Sequence, residues 1–175
     1  ERKRRKGRID RSTKGMRTNR QLNKREMNRL WAVCAEGGAK GARDMVIIAL
    51  GFGCGLRRSE IAALQFEDID WNGKVSGQEG DEESRQLPLD NGDETDGVGY
   101  LPITIKHGKS DKRRVIAASN GSRQALLQWR KVRGDDAGPL LYSCDRWDGV
   151  QHGKGIDSQV VYTVCDELAT RAKVK

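Results

Sequence analysis

The 175-residue chain carries 33 Lys and Arg against 25 Asp and Glu, a formal net charge of +8, with 35% hydrophobic and 33% charged residues. That length fits one domain with a real core, and the basic surplus favours a polyanionic partner, nucleic acid ahead of membrane. No apolar run approaches the roughly 20 residues that span a bilayer and no signal-peptide pattern is present, so a membrane partner is not expected. Cys34, Cys54, Cys144 and Cys165 are scattered with no C-x-x-C pair, and the chain has 2 His. A metal site is therefore not expected, and the free thiols fit a reducing cytoplasm. The chain begins without Met, which leaves a preceding segment open.

In chain order, "ERKRRKGRIDRSTKGMRTNRQLNKR" is overwhelmingly basic and shows no apolar periodicity until about Leu22. Residues 1–21 read as a solvated basic arm that binds phosphates without specificity. "NKREMNRLWAVCAEG" places Met27, Leu30, Trp31 and Cys34 on one helical face, and Gly37 and Gly38 stop it. "GARDMVIIALGFG" is apolar nearly all round and so predicts a central helix. "RSEIAALQFEDI" restarts a short helix with Ile61 and Leu64 inward.

Residues 77–99, "GQEGDEESRQLPLDNGDETDGVG", are acidic and Gly-rich and read as a long surface loop between strands; the ligand spacing of an EF-hand is absent. "YLPITIK" and "KRRVIAA" alternate as strands around the turn "HGKSD". An amphipathic helix, "SRQALLQWRKVRG", ends in a basic turn and Gly134. The last helix, "DSQVVYTVCDELATRAKVK", has Asp157 as its cap and Val160, Val161, Val164 and Leu168 as its apolar stripe. The expected class is α+β and mainly helical. It has a small antiparallel three-stranded sheet built from about 74–76, 99–106 and 113–118, in one domain over 22–175 with 77–99 as an acidic insertion.

Arg57 and Arg58 follow directly on the apolar run "MVIIALGFGCGL". Either both cap a helix end in solvent, or one is held on a rigid core to grip an anion. The surrounding residues decide for the second. "ARDMVIIALGFGCGLRRSEIAALQFEDIDW" resembles the first signature box of the tyrosine recombinases, the phage-type integrases: an apolar helix, then T-G-L-R-x-S-E-L-x-x-L, then W-x-D-I-D. Gly55, Leu56, Arg57, Ser59, Glu60, Ile61, Leu64, Asp68, Ile69 and Asp70 match in order, with Cys54 for Thr and Phe66 where Trp is common. "IKHGKSDKRRVIAAS" is similar to the family's strand–G-K-x-x-K-x-R–strand hairpin, and "GIDSQVVYTVCDELATRAKV" to the helix before its second box. The likeness runs from about Leu22 to the last residue.

The resemblance implies attack of a tyrosine on a DNA phosphodiester, giving a 3′-phosphotyrosyl link and a free 5′-hydroxyl. It makes Arg57 the clamp on the non-bridging oxygens, because a guanidinium offers two parallel donors where an ammonium cannot. Lys109 becomes the general acid on the leaving 5′-oxygen. Glu60 pairs with an arginine to hold the geometry, and Arg58, Lys112, Arg113 and Arg114 contact the DNA backbone. "HGKG" at 152–155 imitates "HGKS" without recognisable flanking strands, which ranks Lys154 behind Lys109. No divalent metal or cofactor is needed, since arginines supply the charge.

The family's H-x-L-R-H box and its tyrosine nucleophile are expected beyond Lys175. His152 has no arginine three residues on, and Tyr142 and Tyr162 read as structural. The chain thus reads as the N-terminal part of a recombinase catalytic domain, inactive by itself, with double-stranded DNA and further protomers as partners. The alternatives are a non-catalytic DNA-binding regulator of recombination and a basic RNA-binding module. Aromatics at 5% of residues argue against the RNA reading.

Overall fold

The computed structural model describes residues 22–72, 99–106 and 113–174. Helix α1 (Lys24–Ala35) opens on a reciprocal cap: Glu26 N donates to Asn23 Oδ1 at 2.9 Å and Asn23 N to Glu26 Oε2 at 3.0 Å. It buries Leu30 and Cys34, with Met27 and Trp31 packed at the margin. Helix α2 (Ala39–Ile48) packs against α1 and runs through the middle of the molecule. Gly41 permits that contact, because a Cβ there would run into the Cys34 carbonyl oxygen.

The N-terminus of α2 has no side chain of its own to cap it, since Gly38 stands at the N-cap. Asp148, far along the chain, supplies the cap: Ala39 N donates to its Oδ2 at 2.7 Å and Lys40 N to its Oδ1 at 2.6 Å. Asp148→Ala should therefore lower the unfolding free energy by about 1 kcal/mol. A thermal melt should show a fall of roughly 2–4 °C for a chain of this size; an unchanged melt would mean that water caps the helix equally well.

Beyond Ile48 the helix widens into a π turn, Ala49–Gly53, with Cys54 N donating to Ala49 O at 3.1 Å and Leu56 N to Leu50 O at 3.0 Å. Gly55 adopts a φ of 68°, a left-handed conformation that favours glycine, and turns the chain back. Leu56 returns to the core, and α3 (Arg58–Ala63) starts from an extended Arg57. A single 3₁₀ turn, Phe66–Asp68, follows. Val46, Ile47, Ile48, Ala49 and Leu50 are all buried, so the expected central helix is the core of the fold.

The sequence predicts one three-stranded sheet; the described residues form two sheets of two strands. Strands β1 (Tyr100–Ile105) and β2 (Arg114–Ser119) pair antiparallel from Tyr100↔Ser119 to Ile105↔Arg114. Among the described residues, β1's other edge carries an isolated bridge, Ile69↔Ile103, beside an Asp70 N to Pro102 O bond of 2.9 Å. The expected third strand at 74–76, the acidic insertion over 77–98, and the basic arm over 1–21 lie outside the described residues.

After α4 (Asn120–Arg133), β3 (Tyr142–Cys144) and β4 (Val150–Gly155) make the second hairpin, with a register shift at Tyr142/Ser143. The "QHGKG" stretch is thus itself a strand. Its glycines and charges have poor strand propensity, so only the pairing reveals it. Helix α5 (Ser158–Arg171) begins at Asp157, whose Oδ1 accepts from Gln159 N and Val160 N at 2.8 Å. Val161, Val164 and Leu168 are buried along it. Among the described residues no helix is long and apolar enough to cross a membrane.

One charged side chain sits wholly inside. Arg133, in the last turn of α4, is 0% exposed. Its guanidinium donates to the carbonyls of Gly134, Asp136, Gly138, Pro139 and Leu140 and to Tyr142 Oη, at 2.6–3.4 Å. It also lies 4.6 Å from the Phe66 ring centre and 4.5 Å from that of Tyr142. Trp71 stacks on the outer side of Phe66 at 4.8 Å, and Arg130 covers Trp71 at 5.0 Å.

Candidate active site

The reversal at Gly55 delivers Arg57 to the N-cap of α3, just beyond the end of the most deeply buried helix. Its backbone N donates to Glu60 Oε2 at 2.8 Å and its Nη1 to Glu60 Oε1 at 3.0 Å. The arginine side chain is 57% exposed while that of Glu60 is 2% exposed. A mobile guanidinium is thereby moored to an immobile carboxylate. Its Nε and Nη2 have no hydrogen-bond partner among the described residues.

A second arginine reaches the same carboxylate from 54 residues away. Arg114, the first residue of β2, donates Nη1 to Glu60 Oε1 at 2.9 Å and Nη2 to Oε2 at 2.8 Å. This is the planar fork-to-fork geometry that arginine makes with carboxylates. Glu60 then accepts four hydrogen bonds, about the full capacity of a carboxylate. The Arg114 bonds hold its carboxyl far below the ordinary range, down to about 2, against the upward push of burial and with further help from Arg57. Two guanidinium groups facing one carboxylate leave one uncompensated positive charge at the surface.

The other expected site residues distribute unevenly. Arg58 is exposed at the start of α3, its guanidinium 6.0 Å from the Tyr162 ring on α5. Tyr162, read from the sequence as structural, is 51% exposed. It follows the buried Val161 by one residue, a turn of about 100° round the helix. Tyr142 is buried, its hydroxyl taken by Arg133. Arg113 is exposed just before β2. Lys109 and Lys112 lie outside the described residues. On the near side of that gap Lys106 pairs with the buried Asp68 at 2.5 Å, fixing the hairpin stem to the 3₁₀ turn.

Arg114, expected among the DNA-backbone contacts, meets Glu60 through both of its terminal nitrogens. The signal for this was present in the alternation of β2. Ala118 is buried and Ile116 partly so, and counting back by two puts Arg114 on that same face. Val115, on the other face, is 45% exposed in spite of its apolar side chain.

Residues 20–175 match the phage integrase family. Among curated proteins none matches the chain. The family match spans every element described above, including the arginine pair and its carboxylate, and the chain belongs to the phage integrase family of tyrosine recombinases.

Proposed function

We propose that these residues bind double-stranded DNA and supply part of the catalytic centre of a site-specific recombinase, with Arg57 gripping the scissile phosphate. The observation that carries this reading is the half-exposed Arg57 guanidinium, moored by one nitrogen to a buried, fully ionised Glu60 and open on its other edge. A pentacoordinate phosphate gathers negative charge on its non-bridging oxygens, and a donor already in place stabilises it without reorganisation. In the same reading Lys109 protonates the leaving 5′-oxygen, and Arg58, Lys112 and Arg113 position the duplex by its phosphates. The 175 residues contain no H-x-x-R box. The second arginine and the tyrosine nucleophile would come from other residues of the polypeptide or from a neighbouring protomer on the DNA.

Binding to a short duplex, measured across a series of salt concentrations, tests the reading. Affinity should fall steeply, with a log–log slope of about −0.9 for each phosphate neutralised. Reversing Lys112 and Arg113 to Glu should weaken binding to all duplex sequences alike. Salt-independent binding, or a clear preference for single-stranded RNA, would remove DNA recombination from consideration.

A further inference from the structure

We infer that Arg114 is a positioning residue: it acts on the bound phosphate through Glu60 and Arg57 and does not touch DNA itself. The inference rests on the proposed phosphate role of Arg57 and adds a member to that site. Arg114 meets Glu60 with two parallel bonds of 2.9 and 2.8 Å, whereas the Arg57 side chain meets it with one of 3.0 Å. This asymmetry has a consequence for charge and a consequence for shape.

The charge consequence comes first. With Arg114 in place the cluster has two cations and one anion, so Arg57 faces solvent with its charge uncancelled. Without Arg114, Glu60 would neutralise Arg57 alone, and an incoming phosphate would have to compete with a buried carboxylate for it. The shape consequence follows from occupancy. Arg114 takes one lone pair on each carboxylate oxygen, so Arg57 cannot close onto Glu60 as a second full fork. Its free edge is kept outward, available for the two parallel bonds that a phosphate accepts.

The same contact ties the stem of the β1–β2 hairpin to α3, since Arg114 pairs in register with Ile105 where the described part of the hairpin ends.

The experiment combines a spectroscopic and a binding readout on Arg114→Met, Arg114→Lys, Glu60→Gln and the Glu60→Gln/Arg114→Met double variant. The Glu60 carboxyl is followed by ¹³C NMR through an acid titration. In the parent it should titrate at about 2, and in Arg114→Met it should rise towards the ordinary 4.5. Arg114→Lys, which keeps the charge and guards against a folding defect, should fall between.

Duplex affinity should drop about tenfold in Arg114→Met, one charged hydrogen bond's worth, as Glu60 cancels the charge of Arg57. In the Glu60→Gln background the same substitution should cost nothing further. The proposal is overturned if Arg114→Met flattens the salt slope by about 0.9 in the Glu60→Gln background, the mark of a lost direct phosphate contact. It is equally overturned if the loss persists without Glu60, or if the Glu60 titration does not move. A parent that fails to bind DNA at all would sink the proposed function, while the Glu60 titration would still decide whether Arg114 sets that carboxylate.

Discussion

Arg133→Met should lower the unfolding free energy by about 3–5 kcal/mol, a large part of the stability of a typical domain. Two effects oppose each other. Methionine spares the cost of burying a cation, which on its own would stabilise the fold. It also takes a donor away from five backbone carbonyls between Gly134 and Leu140 and from the Tyr142 hydroxyl. Two of these carbonyls keep a second donor, Leu140 from Trp129 Nε1 and Gly138 from Phe66 N, each at 2.8 Å.

Each orphaned carbonyl costs roughly 1 kcal/mol or more, so with those of Gly134, Asp136 and Pro139 left bare the loss outweighs the gain. The planar contacts with Phe66 and Tyr142 go as well. Arg133→Lys should recover less than half, because three donors on a non-planar head cannot serve six acceptors. Urea unfolding measures both variants. A loss below about 1 kcal/mol for methionine would mean that water enters and satisfies the loop.

The second large effect concerns rate. In a polypeptide that joins these residues to an H-x-x-R box and a tyrosine, Arg57→Ala should slow formation of the phosphotyrosyl adduct about a hundredfold or more. Duplex affinity should change far less, since many phosphate contacts share binding while one phosphate reacts. Arg57→Lys should not rescue the rate, because the bidentate geometry is lost. Lys109→Ala should slow the same step for a different reason, the missing proton on the leaving oxygen.

A substrate whose 5′-bridging oxygen is replaced by sulfur separates the two. A thiolate leaves without protonation, so it should restore Lys109→Ala and leave Arg57→Ala slow. Adduct trapped on a nicked duplex and counted on a denaturing gel gives the rates. Normal cleavage by Arg57→Ala would return that arginine to the status of a helix end.

Much of this architecture is legible in the sequence because it is local. The core run from Val46 to Leu50, the cap at Asp157 and the stripe of α5 follow from period and propensity within a few residues. What escapes is set by partners far along the chain. The hairpin of β3 and β4 pairs Tyr142–Cys144 with a strand that contains two glycines and little apolar surface, so composition gives no warning.

Arg133 lies in "RKVRG", which reads as a solvated helix end, and nothing local says that the loop after it folds back as a cage of carbonyls. Arg114 sits in a basic triplet where charge suggests DNA, while strand alternation points it inward to a carboxylate on another element. In both cases the charge of an arginine does not reveal the partner that its geometry reaches.

The π turn at Ala49–Gly53 gives the site a peculiar kind of fragility. One residue more than an ordinary helical turn would use is accommodated there, between the anchored Val46–Leu50 run and the reversal at Gly55. Each residue of helix carries about 100° of rotation and 1.5 Å of advance. Removing any one of these positions would swing Arg57 to another side of the molecule, away from a carboxylate whose other partner arrives on a separate strand. The segment works as a spacer of fixed count, tolerant in its lettering and intolerant in its length.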